Sequence, residues 1–347
     1  MRNKALYLAA FLAAALPAAG SFCVALAGPA VGTTSANFLK IPAAAVPTAM
    51  GEAYTAMVGP DSIMYNPAGL GLLNYSSFSG AHNQYLDGIT QEYLALSWRS
   101  RYGTIAGAYT TLSSGKIEAY DENDMPTGNT STGHTLMVLS YAQSWPHFNQ
   151  DIGKLDPMLI TPGWTRIEPV RDYRPKAYRV AAGASLKRIS EKLGDESTGS
   201  YALDAGLALV LPQHWQFGAS AQNFGSKRKF LEQESPLPSS LRFGIAKDFH
   251  TINDLMVFTV ATDLVKYSDR EYLGATGLEI DFMKMFQMRV GYKTQRDTGS
   301  KVCGGFGLNF DRLADKGGLL HGARLDYAYL DYGSLGATHR IGVQLIW

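Results

Sequence analysis

Arg340-Ile341-Gly342-Val343-Gln344-Leu345-Ile346-Trp347 is the stretch whose reading decides the fold. In an extended chain its alternation places Ile341, Val343, Leu345 and Trp347 on one face and ends on an aromatic. Left in water, such a face invites aggregation, so the strand must close against another strand or lie against lipid. The same pattern fills the sequence upstream. From about residue 200 onward, alternating segments of about ten residues follow one another, each bounded by a short polar or Gly-containing turn.

Extended to the rest of the chain, this pattern gives strands at 74–86, 89–99, 102–112, 134–144, 176–189, 200–211, 214–223, 239–249, 254–264, 271–282, 285–294, 301–310, 320–330 and 337–347. Their number is even and their lengths suit a tilted bilayer crossing. The expected fold is therefore an all-β, 14-stranded antiparallel transmembrane β-barrel. A signal peptide over 1–27 and an N-terminal plug segment over 28–73 precede a barrel over 74–347. The alternative is a soluble β-sandwich, whose outward Leu and Tyr rows would need a second sheet to cover them. The signal peptide, the even count and the terminal aromatic weigh against it.

Composition narrows the classes. Lys+Arg 31 against Asp+Glu 30 in 347 residues argues against a nucleic-acid binder, which carries a basic surface. Thirty-six glycines, 19 tyrosines, 15 phenylalanines and 5 tryptophans fit a barrel with an apolar lipid face, aromatic rims and small interior residues. Beyond the first residues no apolar run is long enough for a membrane helix. Arg2 and Lys4, the apolar core Ala5 to Leu16, and Ala25-Leu26-Ala27 before Gly28 form a secretory signal with a small-residue cleavage site. Cys23 lies inside that signal. Only Cys303 is left, which rules out an intrachain disulfide or a thiolate metal cluster, and it reads as a small strand residue.

Alternation also assigns faces. In 200–211, Tyr201, Leu203, Leu207 and Leu209 point to lipid and Asp204 points inward, because a charge in hydrocarbon is costly. In 285–294, Phe286, Met288, Val290 and Tyr292 point outward, opposite Arg289 and Lys293. Arg179, Lys187, Arg242, Glu279, Asp281, Arg324 and Asp326 join the inner surface. This mixture of signs favours internal ion pairs over a one-sign selective pore. Tight turns are expected at Asp87-Gly88, 211–214 and 281–284, and longer outer connections at 113–133, 190–199, 224–238 and 295–300. The Pro-rich stretch 145–175 falls on the periplasmic side. At this length it is either functional or a sign of misplaced strands.

Residues 28–73 do not alternate. A short helix is expected over Ala49 to Met57 with Gly59-Pro60 as its stop, and Asn66-Pro67 with Gly69 marks a sharp turn. Asn37-Phe38-Leu39-Lys40-Ile41, Ala49-Met50-Gly51-Glu52-Ala53-Tyr54 and Asp61-Ser62-Ile63-Met64-Tyr65-Asn66-Pro67-Ala68-Gly69-Leu70 together resemble the N-terminal signature of the PorV/PorQ family, itself similar to the FadL class of fourteen-stranded outer-membrane transporters. Leu241 to Ala246 and Asp331 to Ile341 resemble that family's central strands and last hairpin. Glu52 stands where the family more often has a second glycine.

The resemblance implies an outer-membrane barrel, set in outer-membrane lipid and inserted by the barrel assembly machinery, which would read the final aromatic. It further implies an accessory of a protein secretion system that meets a large translocon and its cargo. The other reading it offers is a FadL-like transporter passing hydrophobic molecules through the barrel wall. A structural barrel without a ligand is the third. The plug motif Gly51, Glu52, Asp61, Asn66, Pro67 and Gly69 holds the candidate gating residues; the plainer reading is that Asn66 caps a turn and Gly69 permits a bend. Trp164 is the candidate loop anchor for a protein partner. The histidines are scattered without ligand spacing, and no serine, histidine and acid fall in a telling pattern. No metal, no cofactor and no catalytic residue is therefore expected.

Overall fold

The computed structural model describes residues 34–347 apart from 116, 122, 146–177, 195, 227, 231–232, 252–254, 295–298 and 311–321. The signal peptide, Trp164 and nearly all of the 145–175 connection lie outside the described residues.

Among the described residues eighteen strands follow one another: β1 (Ser77–Gln84), β2 (Thr90–Ser100), β3 (Gly103–Ser113), β4 (Ile117–Tyr120), β5 (Pro126–Thr130), β6 (Thr132–Trp145), β7 (Arg179–Leu193), β8 (Glu196–Leu211), β9 (Trp215–Gly225), β10 (Arg228–Phe230), β11 (Gln233–Ser235), β12 (Ser240–His250), β13 (Met256–Tyr267), β14 (Tyr272–Phe282), β15 (Phe286–Lys293), β16 (Val302–Asn309), β17 (Ala323–Asp331) and β18 (Ala337–Ile346). Fourteen of them form a closed antiparallel barrel in which β1 pairs with β18; β4–β5 and β10–β11 are separate two-stranded hairpins. Ser77 opposes Ile346 and Gln84 opposes His339 across the seam. Closure leaves no edge strand, which is what allows the sheet to cross a bilayer.

Both ends of the strand succession lie on one side, where Ser76 and Trp347 exchange backbone hydrogen bonds of 3.0 Å. In an outer-membrane barrel this is the periplasmic end. Trp98, Tyr102, Tyr141, Trp145, Phe249, Phe286 and Trp347 are exposed around it. They form the aromatic belt that sits at the headgroup level. Lys247 lies 4.3 Å from the Trp215 ring centroid, a snorkelling cation on the same belt.

Alternation holds through the barrel. In β8 and β18 the odd-numbered residues from Tyr201 and His339 face out and the even-numbered ones face in, and in β15 Phe286, Met288, Val290 and Tyr292 face out and the odd-numbered residues in. The 211–214 and 281–284 turns are tight: Gln213, His214, Met283 and Lys284 all have positive φ. One expectation needs correction. The 190–199 connection is not long, because β7 and β8 continue to Leu193 and from Glu196, so only a tight turn separates them. The 113–133 and 224–238 connections are long, and each holds a hairpin of its own.

Residues from Thr34 to Leu73 lie against the inner wall. They form 3-10 turns at Asn37–Lys40, Pro60–Met64 and Pro67–Leu72 and one short helix at Ala45–Ala49. The helix expected over 49–57 is displaced toward the N-terminus, because Gly51 and Glu52 at φ 66° and 68° end it. Left-handed backbone cannot continue a right-handed helix.

Candidate functional site

The site is the contact between this inner segment and the lumen wall, together with a cleft above it. Its fit depends on glycines. Gly183 pairs with Gly206 across β7–β8, Gly218 with Gly244 across β9–β12, and Gly277 with Gly291 across β14–β15. A Cβ on Gly206 would lie 2.0 Å from Asn66 Oδ1, one on Gly218 2.1 Å from the Thr55 carbonyl oxygen, and one on Gly291 2.1 Å from the Gly51 nitrogen. These distances leave no room for any side chain. The wall is thinned where the plug backbone touches it.

Asn66 is the central tie of the plug. Its Nδ2 donates to the carbonyls of Thr55 at 2.9 Å and of Leu207, on β8, at 3.0 Å, while its Oδ1 accepts from the Ala68 backbone nitrogen. Pro67 follows at the first position of the 3-10 turn, where a missing N–H costs nothing. Gly69 is required because a Cβ there would sit 2.6 Å from Ser62 Oγ. Asp61 accepts from Ser79 on β1 at 2.8 Å and from Gln344 on β18 at 3.1 Å, straddling the seam that closes the barrel. Gly51 and Glu52 make a left-handed turn against β15, an uncommon conformation for glutamate. The Glu52 carboxylate pairs with Lys293 at 2.6 Å and its carbonyl accepts from Arg242 at 2.9 Å.

The inward charges form paired groups. Arg289 bridges Glu279 at 2.6 Å and Asp326 at 2.9 Å, and Arg324 donates to the same Asp326 oxygen at 2.9 Å. Asp281 stands beside them and accepts from Gln287. Arg242 meets Asp263 at 3.2 Å, and Asp263 also accepts from the Tyr54 and Thr55 backbone nitrogens, pinning the plug. Lys187 pairs with Asp204 at 2.7 Å where β9 bulges: the ladder slips between Leu203 and Ala205, and Asn223, at φ 59°, donates its N–H to Asp204. Alternation alone places Asp263 on the inner face of β13. That the plug backbone is among its partners has no local signal.

At the outer end, the inner segment and the wall leave a cleft of about 310 Å3, lined by Lys40, Ile41, Pro42 and Glu52 of the inner segment and by Tyr85, Tyr267, Arg270, Lys293, Leu330 and Tyr332 of the barrel, among others. Lys40 closes one side by pairing with Asp269 in the β13–β14 turn, which also accepts from Thr34 at 2.6 Å. Burial works against the Asp269 charge, but the hydrogen bonds from Lys40 and Thr34 and the nearby cations outweigh it and hold the carboxyl below its usual range. Among the described residues there is no cluster of three or more metal-ligating side chains.

No protein-family model and no curated protein matches the chain. Solved structures do. The toluene transporter TodX of Pseudomonas putida aligns with 92% of this chain and 98% of its own at 11% identity and a TM-score of 0.50. The toluene transporter TbuX of Ralstonia pickettii aligns with 87% and 97% at 12% identity and 0.48, and a FadL homologue of Pseudomonas aeruginosa with 92% and 99% at 9% identity and 0.44. The likeness to TodX establishes the fold: a closed, FadL-like, 14-stranded barrel of the outer membrane. It also corrects the PorV/PorQ expectation. The matches at a TM-score of 0.50 are described as toluene transporters, and they give no support to a secretion accessory, a translocon or a protein cargo. The misleading signal was the motif block around Asn66-Pro67-Ala68-Gly69, whose residues pack the inner segment against the barrel wall.

Proposed function

We propose that this protein is an outer-membrane transporter of small hydrophobic molecules, which enter at the outer-end cleft and meet a lumen closed by a plug over residues 28–73. The observation that carries the reading is the cleft of about 310 Å3, built jointly by plug and wall. Its size suits a small molecule, and the Ile41, Leu273, Leu330, Leu335 and tyrosine part of its lining, beside the charged Lys40, Glu52, Arg270 and Lys293, gives an apolar one its contact surface. A molecule bound there touches both the fixed barrel and the segment whose displacement would let it pass. The fold shared with a protein described as a toluene transporter supports the same reading. The paired lumenal charges and the inner segment packed on the wall support a lumen without a porin-like water column.

The test is uptake of radiolabelled toluene by Gram-negative host cells with and without the protein, alongside conductance in planar bilayers. The expected result is faster hydrocarbon uptake with little steady conductance. Unchanged uptake, or a large steady ion current, would overturn the proposal.

A further inference from the structure

The inner segment carries two carboxyls, and the wall receives them differently. Glu52 pairs with the Lys293 ammonium. Asp61 is buried at 1% exposure, and its hydrogen bonds come from neutral groups, Ser79 Oγ on β1 at 2.8 Å and Gln344 Nε2 on β18 at 3.1 Å. Ser79 and Gln344 stand directly opposite each other in the ladder that closes the barrel. The buried Tyr93 phenol on β2 lies close enough to act on Asp61 as well, and Asp326 and Arg324 act on it from β17 with opposite signs. Tyr65 of the inner segment is also within reach. Arg99 of β2 is turned to the Gly71 carbonyl and Thr104. The inner face of β3 and the 67–72 turn, which pack on the same stretch, bring no titratable side chain.

These partners can serve both states of the carboxyl. Asp263, which pins the inner segment from β13, is held by a guanidinium and two backbone N–H groups, and such groups only donate. A hydroxyl can turn. Ser79 donates to a carboxylate and accepts from a carboxylic acid, while Gln344 donates to the other oxygen in either case. From this we propose that Asp61 makes the seat of the inner segment proton-linked, tight while its carboxyl holds a proton and looser once the carboxyl ionises. The linkage belongs to the seal and holds whatever molecule passes. Burial pushes the Asp61 carboxyl up to about 6, against the opposing pull of the Ser79 hydrogen bond. A displaced segment carries Asp61 into water, where it returns to the ordinary value of about 3.9. Below that value the carboxyl is protonated in both states, and the seat has its full strength. Between the two values the displaced form has ionised and the seated form has not, so the seat weakens as pH rises. Above about 6 both are ionised, and the loss, roughly a hundredfold, is complete.

The experiment is hydrogen exchange of the protein in nanodiscs, read by mass spectrometry on the peptide over residues 57–66, whose amides at Met57, Ser62, Tyr65 and Asn66 are bonded within the segment. Rates at pH 4.5, 6.0 and 7.5 are converted to protection factors, which removes the chemical dependence of exchange on pH. Protection in wild type is expected to fall at least tenfold from pH 4.5 to 7.5. D61N, neutral and of the same shape, should stay within threefold over that range. His134 is the competing sensor, since it stacks on Phe38 of the same segment at 5.0 Å and meets Glu191 at 3.2 Å. H134Q, which leaves Asp61 in place, should therefore retain the fall. Protection in wild type that is flat or rises with pH would overturn the proposal, and that outcome needs no variant to fold. A fall that D61N shares, or that H134Q abolishes, would overturn it equally.

Discussion

Two sets of glycines in one barrel meet opposite surroundings. Gly206, Gly218 and Gly291 face the lumen, where an added Cβ would lie 2.0 to 2.1 Å from plug atoms. Gly107, on the lipid-facing side of β3, would meet nothing closer than a carbonyl oxygen at 3.7 Å. The residue type is the same and the requirement is not. Glycine in a strand normally weakens it. Here the inner set exchanges strand propensity for a wall thin enough to admit a second layer of backbone, whereas Gly107 has room for a side chain.

The sharpest way to break that comparison is to fill one inner position. Gly218→Val forces a branched side chain into the Thr55 carbonyl and should unseat the plug, raising steady conductance in planar bilayers at least tenfold; Gly107→Ala should leave it within twofold of wild type. Equal behaviour of the two would remove the distinction. Next in size is the charge cluster on the β14–β17 wall. Arg289→Met leaves Glu279 and Asp326 buried without their shared cation, a loss of about 3–5 kcal/mol. It should lower the temperature at which the folded band is lost in gel electrophoresis, and an unchanged transition would mean that the cluster is wet.

Asn66→Ala removes the donor shared by the Thr55 and Leu207 carbonyls and should cost about 1–3 kcal/mol. Because those bonds tie plug to wall, proteolysis should begin within residues 50–73 and spare the strands. Cleavage starting elsewhere would contradict the assignment. The smallest effect belongs to the outer latch. Asp269→Asn should speed hydrogen exchange of the 34–41 segment about fivefold at neutral pH, or ~1 kcal/mol. Since the Asp269 carboxyl is held below its ordinary value of about 3.9, its contribution is complete above that value and is lost as pH falls through the lowered one. The ratio of variant to wild-type exchange should therefore hold near neutrality and approach one in strong acid. A ratio that collapsed near pH 6 would point to a different group.

How much of this was legible in the sequence follows from the range of each signal. A strand states its own faces, because Leu203, Leu207 and Leu209 alternate with Asp204 within a few residues. The barrel and its strand count could accordingly be read directly. The β4–β5 and β10–β11 hairpins could not, since short paired segments lack the length to show a period. The same holds for the inner glycines. Gly206 needs to be glycine because of Asn66, 140 positions away, and Gly291 because of Gly51. Composition shows that glycines are many and says nothing of where they meet the plug. Arg340 was equally silent about its partner Pro42, which lies 298 positions away in the inner segment.

Cys303 offers the most direct measurement. Its thiol is buried on the inner face of β16 and donates to the Thr48 carbonyl at 3.0 Å, beneath the plug helix. The native protein in nanodiscs, treated with a membrane-impermeant maleimide and read by mass spectrometry of the Cys303 peptide, reports whether the plug is seated. Slow labelling in wild type, at least tenfold faster in Gly218→Val, is the result expected of a lumen sealed by plug against glycine. Rapid labelling of wild type, or equal rates in the two, would show that the seal does not exist.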